Sequence, residues 1–159
     1  MRKHEVLLTG RIRDMMEAQT DRLFQTYTVH ALHRSEDPDA LVEEVKDRIT
    51  AIATNGVLGA SGEFMARFPN LEAVICFGAG IDNVDLEYAK RQGVQVSNTQ
   101  GVLNDDVANL AVALLIGISR EIVEADKYVR RGDWIRKGKM GLQKSIRGRR
   151  VGILGLGGI

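Results

Sequence analysis

The chain has 159 residues, with 22 basic and 21 acidic side chains and a net charge of +1, and 44% of its residues are hydrophobic. This composition is typical of a soluble globular protein and excludes wholesale disorder. A chain of this length can bury a core without metal or disulfide staples. The single cysteine, Cys76, excludes an internal disulfide and favours a reducing compartment, so we expect a cytoplasmic location.

Neither a membrane segment nor a signal peptide is predicted. The longest uncharged apolar stretch, 110–119, is much shorter than the roughly 20 residues that a membrane span requires. The charged N-terminus leads into only a short apolar run. We therefore expect no membrane partner.

Short apolar runs alternate with helical patterns along the first hundred residues. Strands are predicted over 5–10, 27–32, 49–54, 73–77 and 94–98. Helices are predicted between them, over 13–23, 37–46, 61–67 and 85–91. Asp37 and Pro38 open the second helix, and Gly93 closes the fourth. Strands that alternate with helices predict right-handed crossovers and a parallel sheet.

The remainder predicts a long helix, a basic linker and a final strand. The helix is predicted over 104–130, because its apolar residues recur with a helical period. That apolar stripe consists of Val107, Leu110, Ala111, Leu114, Ile118, Ile122, Ala125 and Val129. A strand is predicted over 151–154, running into glycines. We therefore expect three parts: an α/β domain over 1–100, the long helix and linker over 101–150, and the start of a second domain over 151–159.

The predicted architecture is α/β, a flavodoxin-like five-stranded parallel sheet flanked by helices. Such sheets bind ligands beyond the carboxyl ends of their strands. Glycines concentrate there, at Gly10, Gly56 and 78–80, where they either bring backbone amides close to a small anion or only make turns. The ends of the first and third strands lack the acidic residues of a phosphate-accepting receiver domain. The first loop also lacks the Ser/Thr-rich sequence of a flavin-mononucleotide site.

Charge and histidine patterns point to no further site. The segment 127–150 holds ten basic residues and one acid, which indicates either nucleic-acid binding or a solvated helix end. We favour the solvated helix end, because Trp134 is the only nearby aromatic residue for base stacking. His4, His30 and His33 have no metal-like spacing, so no metal site is predicted.

The last nine residues begin a recognisable motif. The run 151–157 follows the strand-then-glycine start of the dinucleotide fingerprint G-x-G-x-x-G, with Gly155 and Gly157 as its first two glycines. The third glycine would fall immediately after Ile159. Half of this site is not expected to hold a cofactor, so we expect none to bind to this chain alone.

Together these motifs closely resemble the D-isomer-specific 2-hydroxyacid dehydrogenase family, with the N-terminal half present. The resemblance rests on the sequences at 54–56, 78–85, 96–99, 105–111 and 151–157. The segment 126–134 is most similar to the glyoxylate/hydroxypyruvate reductase branch. The resemblance covers nearly the whole chain, with weaker signals before Ala51.

The resemblance implies a two-domain enzyme of roughly twice this length, with residues 1–100 as its flavodoxin-like substrate-binding domain and residues 151–159 as the start of a truncated dinucleotide-binding domain. A nicotinamide cofactor, NAD or NADP, passes hydride to a 2-oxo acid such as glyoxylate or hydroxypyruvate, with an arginine, a histidine and a glutamate assisting. The substrate-binding residues carried over are Asn55, Gly56, Val57, Ala79 and Gly80. The cofactor-binding residues carried over are Val107, Gly155 and Gly157. The arginine, glutamate and histidine would lie beyond Ile159, so no catalytic residue is assigned here.

Two departures from the family pattern affect what we expect. Gly158 stands where the family often has a polar or basic residue, which leaves the choice between NAD and NADP open. The family completes its first domain with a C-terminal helix that is absent from this sequence. We expect the helix over 104–130 to cover the uncovered sheet, within its own chain or exchanged with a second chain in a homodimer.

Two interpretations therefore remain. The first is the substrate-binding half of an NAD(P)H-dependent 2-hydroxyacid dehydrogenase, inactive alone. The second is an autonomous flavodoxin-like module, natural or engineered, with a structural or small-anion-binding role.

Overall fold

The computed structural model describes residues 4–11 and 17–159. The chain divides into two compact units, residues 1–100 and residues 101–159. The part of the first predicted helix over 13–16 lies outside the described residues.

The first unit is a five-stranded parallel sheet in the order β2-β1-β3-β4-β5, which confirms the predicted α/β architecture. Its strands are β1 (Glu5–Leu8), β2 (Thr28–Ala31), β3 (Ile49–Asn55), β4 (Ala73–Phe77) and β5 (Gln95–Asn98). Its helices are α1 (Glu17–Thr26), α2 (Pro38–Val45), α3 (Gly62–Ala66) and α4 (Leu86–Gln92), with a short 3-10 helix over Leu32–Arg34.

Local capping explains where these helices begin and end. Asp37 accepts a hydrogen bond from the backbone N–H of Ala40 at the start of α2, where Pro38 takes the first helical position as predicted. Ser61 and Asp85 cap α3 and α4 in the same way. Gly93 ends α4 in the left-handed conformation, with φ at 74°, which confirms the predicted stop.

The hydrophobic core of the first unit lies on both faces of the sheet. The larger cluster joins alternate strand residues to helices α2, α3 and α4, and it includes Leu7, Ile52, Met65 and Val74. The smaller cluster on the opposite face contains Val6, Leu8 and Ala53. Because both faces of β1 and β3 are buried, these strands are fixed in register and their carboxyl ends hold the following loops in place.

The second unit contains α5 (Asn104–Ser119), α6 (Ile122–Arg130) and α7 (Asp133–Lys137). The prediction of one helix over 104–130 is wrong, because Glu121 adopts the left-handed conformation, with φ at 50°, and separates α5 from α6. The 3.6-residue stripe of apolar residues shows which side chains share a face. It carries no signal of a single residue whose backbone leaves the helical region.

The predicted strand over 151–154 is also wrong: the backbone there is irregular and its side chains are exposed. A strand requires a neighbour to satisfy its backbone hydrogen bonds. Residues 101–159 are all described and include no other strand that could pair with it.

Candidate functional site

The carboxyl ends of the central strands meet at one edge of the sheet. The strand order reverses between β1 and β3, because β2 lies on one side of β1 and the remaining strands lie on the other. Open parallel sheets bind their ligands at such a point. Here β3 leads into the 55–59 loop and β4 leads into the 78–84 loop. These two loops form the candidate substrate site.

The 55–59 loop is held by side chains from the end of β3. Asn55 Oδ1 accepts hydrogen bonds from the backbone N–H groups of Val57, at 3.0 Å, and Leu58, at 2.9 Å. The Asn55 carbonyl accepts a third bond from the N–H of Gly59 at 2.8 Å. The buried Thr54 hydroxyl donates to the Gly59 carbonyl at 2.7 Å. The loop is therefore a closed turn whose shape is set by its own strand.

The 78–84 loop packs directly against the 55–59 loop. The side-chain amide of Asn83 donates to the carbonyls of Gly56 and Val57, both at 3.0 Å. The backbone N–H of Ala60 donates to the Asn83 carbonyl at 3.0 Å. A Cβ atom on Gly56 would lie only 2.6 Å from the carbonyl oxygen of Gly80, so the two loops are in close backbone contact.

The 78–84 loop is also held from β4 and β5. The Asn98 side-chain amide donates to the carbonyl of Ala79 at 2.8 Å. The Cys76 thiol lies 3.6 Å from the carbonyl of Gly80 and donates a weak hydrogen bond to it. Burial raises the pKa of the Cys76 thiol, so it remains protonated and is a poor nucleophile. Cys76 is fully buried in β4.

The structure brings the five predicted substrate residues into these two adjoining loops. Gly56 and Gly80 are in contact, and Ala79 is exposed beside them. Val57 is 84% exposed although its backbone is bonded on both sides, so its side chain projects from a fixed turn. Asn55 directs its Oδ1 at the loop backbone, which makes it a residue that shapes the loop.

Three further residues support the site and received no role from the sequence. They are Thr54, Asn83 and Asn98, which bond to backbone groups of the two loops. Each lies inside one of the motifs that carried the family resemblance. The signal that the sequence offered for these roles was an asparagine next to a glycine-rich loop. The sequence does not show which backbone group such an asparagine binds, because that group is up to 27 residues away.

A cavity of about 490 Å³ adjoins the 55–59 loop. It is lined by Thr9, Leu32, Val57, Leu58, Gly59, Ala60, Ser61, Phe64 and Asn83. The lining combines apolar side chains with a few hydroxyl and amide groups, which is typical of small-molecule sites. His33 follows Leu32 in the chain; burial, then the charge of Arg34, lowers its pKa.

The predicted cofactor residues lie in the second unit. Gly155 has φ at 92°, and a Cβ at Gly155 or Gly157 would meet no atom within 4 Å, so the backbone is open to a ligand. The Asn104 side-chain amide donates to the carbonyl of Gly158 at 2.6 Å, which ties the glycine loop to the first turn of α5. Val107 lies one turn later and is 44% exposed. These groups suit the approach of a pyrophosphate to backbone.

The basic segment forms ion pairs. The carboxylate of Asp133, 3% exposed, lies 2.7 Å from Arg136, 3.2 Å from Arg131 and 3.4 Å from Lys137. Burial by itself raises the pKa of the Asp133 carboxyl. The positive charges of Lys137 and the two arginines lower this pKa by more, so the net shift is downward. Lys127 and Arg130 pair with acids on α6. These pairs engage five of the ten basic residues of the segment 127–150.

The described residues, 4–11 and 17–159, contain neither a metal-binding cluster nor a membrane-spanning helix. No group of three or more histidine, cysteine, aspartate or glutamate side chains is arranged to hold a metal ion. No helix there is both long and apolar enough to span a membrane. The loops offer backbone N–H groups, which can bind and orient an anion but cannot exchange protons with it.

Comparison with known proteins identifies close relatives. The chain is 40% identical over 154 residues to a hydroxyphenylpyruvate reductase from Plectranthus scutellarioides, covering 97% of this chain and 48% of that protein. It is 39% identical over 125 residues to a glyoxylate/hydroxypyruvate reductase from Arabidopsis thaliana, covering 79% and 40%. The chain thus spans about half the length of the relatives it matches.

Solved structures give the same result. A 2-hydroxyacid dehydrogenase from Ketogulonicigenium vulgare has a TM-score of 0.93 at 41% identity, with 99% of this chain and 49% of that chain covered. An NADPH-dependent glyoxylate/hydroxypyruvate reductase from Sinorhizobium meliloti, in complex with NADP and malonate, has a TM-score of 0.75 at 30% identity, with 98% and 47% covered. NAD(P)-dependent reductases are therefore among the homologues.

A family model supports the same assignment over most of the sequence. Residues 6–147 match the model for the catalytic domain of D-isomer specific 2-hydroxyacid dehydrogenases. The matched range contains both loops of the candidate site and all of α5, α6 and α7. The chain belongs to the D-isomer specific 2-hydroxyacid dehydrogenase family.

Proposed function

We propose that this chain is the substrate-binding half of an NAD(P)H-dependent 2-hydroxyacid dehydrogenase that reduces 2-oxo acids of the glyoxylate and hydroxypyruvate type. The observation that carries the proposal is the close contact between the 55–59 and 78–84 loops at the carboxyl ends of β3 and β4, beside the point where the strand order reverses. Fixed backbone dipoles of this kind bind a carboxylate without reorganising, which favours its orientation for reaction.

The roles of the chain follow from its groups. The backbone N–H groups of Ala79 and Gly80 hold the carboxylate of the substrate, and Asn55, Gly56 and Val57 line its pocket. A nicotinamide cofactor would supply the hydride, and Val107, Gly155 and Gly157 would contact it. No residue of this chain is assigned as proton donor, so we expect the chain alone to be inactive and to bind no cofactor. A cytoplasmic location stays a prediction.

Amide chemical shifts test the substrate proposal directly. In a ¹⁵N-labelled sample, glyoxylate and hydroxypyruvate should shift the amide signals of Gly56, Val57, Ala79 and Gly80 in a saturable way. Acetate, a carboxylate without the 2-oxo group, should bind more weakly. Equal binding of sulfate at these amides would instead support the small-anion module. Shifts at other residues alone would contradict the proposal, and normal NADPH oxidation by this chain would overturn its inactivity.

We also propose that a second copy of the chain covers α5 in a homodimer. No residue of this 16-residue helix is buried. Six of its large apolar side chains are at least 38% exposed: Val107, Leu110, Val112, Leu114, Leu115 and Ile118. Apolar surface of this extent is typical of an interface. Light scattering should show a dimer that Leu114→Lys converts to monomer, whereas a monomer at the highest attainable concentration would exclude the homodimer and its helix-exchanged form.

A further inference from the structure

The geometry points to Asn83 as a positioning residue that, together with Asn55, fixes the shape of the 55–59 loop and its spacing from the 78–84 loop, and so orients the site that binds the substrate. The two residues are called the asparagine pair below. The inference rests on the proposed function, because it assigns to Asn83 a part in binding the same 2-oxo acid.

The asparagine pair bonds to both ends of the same two peptide groups. In the peptide group between Gly56 and Val57, the carbonyl accepts from Asn83 and the N–H donates to Asn55. In the next one, between Val57 and Leu58, the carbonyl again accepts from Asn83 and the N–H again donates to Asn55. All four distances lie between 2.9 and 3.0 Å.

This arrangement fixes the orientation of the loop more strictly than a single set of bonds would. A peptide group is planar, so a hydrogen bond at only one end leaves it free to tilt about the flanking Cα atoms. Bonds at both ends remove that freedom for two successive groups. Asn83 comes from the other loop, so the same bonds set the spacing between the substrate loops as well.

The surroundings of Asn83 show that its own position is fixed. The backbone carbonyl of Asn83 accepts a hydrogen bond from the N–H of Ala60, and the carbonyl of Ala60 accepts one from the backbone N–H of Asp85. These two bonds form a short parallel bridge between residues 60 and 84. A Cβ at Gly59 would lie 2.0 Å from the Asn83 carbonyl oxygen, so the backbone there is tightly packed. The backbone of Asn83 is therefore fixed without a ligand, and it holds the side-chain amide in place as a donor.

The experiment compares Asn83→Ala with a matched control, Asn70→Ala. Asn70 also donates its side-chain amide to one backbone carbonyl, that of Asp47, at 2.8 Å, but it lies before β4 at the opposite edge of the sheet. Two readouts are taken by NMR: hydrogen exchange of the Val57 and Leu58 amides, and the dissociation constant for hydroxypyruvate.

Asn83→Ala should speed exchange at Val57 and Leu58, although neither amide bonds to Asn83, and should weaken hydroxypyruvate binding by about five- to thirtyfold. Asn70→Ala should leave both quantities within about twofold of the unmodified chain. A purely structural role would lower the melting temperature while leaving the dissociation constant of the folded chain unchanged, and that result would overturn the inference.

A double-mutant cycle tests the shared peptide groups. Because loss of either asparagine frees the same two groups, Asn55→Ala and Asn83→Ala should weaken binding less in combination than the product of their single effects. Independent, multiplicative effects would overturn the inference. If the unmodified chain binds no 2-oxo acid, both the proposed function and the inference fail. If the unmodified chain binds and only the variants behave otherwise than expected, the inference alone fails.

Discussion

Gly59 is the position where the structure of the site is most sensitive to a single methyl group. Its φ is 64°, in the left-handed region, and a Cβ there would lie 2.0 Å from the carbonyl oxygen of Asn83. The left-handed conformation costs a residue with a Cβ about 1–2 kcal/mol, and overpacking against backbone adds roughly 1–3 kcal/mol. We expect Gly59→Ala to reduce the free energy of unfolding by about 2–5 kcal/mol.

Gly93 provides the matched control, because it separates backbone strain from collision. Its φ is 74°, close to that of Gly59, but a Cβ there would meet no atom within 4 Å. Gly93→Ala should therefore cost only the conformational part, about 1–2 kcal/mol. Urea unfolding followed by far-UV circular dichroism measures both variants. If Gly59→Ala destabilises no more than Gly93→Ala, the packing of the two loops does not depend on close contact at Gly59.

Three further predictions follow from the same structure. Gly80→Ala should leave the unfolding midpoint unchanged, because its Cβ would only touch Asp82 at 3.6 Å, but it should weaken hydroxypyruvate binding in an NMR titration. Gly56→Ala should lower both the stability and the affinity. The pKa of His33 is lowered, so the unfolded chain binds its proton more readily; stability should fall as pH drops below about 6.5, and His33→Gln should flatten that decline in urea titrations. The pKa of Asp133, lowered by its cationic neighbours, should rise in Arg136→Ala, as measured by ¹³C NMR of the carboxyl carbon.

Much of the first unit could be predicted because its signals are local. A buried parallel strand is an apolar run of a few residues, and helix caps such as Asp37 and Gly93 act within three residues of themselves. The predicted strand and helix bounds therefore differ from the structure by only a few residues. The glycine-rich ends of β3 and β4 likewise predicted where the two loops of the candidate site lie.

The remaining features depend on contacts that the local pattern does not contain. The end of α5 is set by the backbone angle of Glu121, which leaves the apolar stripe continuous. The apolar run over 151–154 resembles a strand, but a strand exists only where another can pair with it. The role of Asn83 depends on carbonyls 26 and 27 residues earlier, which meet it only when β3 and β4 pair.

The candidate site offers main-chain groups to a ligand. In such a site, affinity and preference among ligands depend on different groups, whereas in a site built from side chains the same groups set both. Under the proposed function, affinity for the carboxylate common to all 2-oxo acids would depend on the orientation of peptide groups, which glycines and the asparagine pair fix. Preference among 2-oxo acids would then depend on the exposed side chain of Val57 and on Leu58 beside the cavity, because neither side chain takes part in those hydrogen bonds. Substitution of Val57 should therefore change which 2-oxo acid binds best while preserving the bonds that hold its carboxylate.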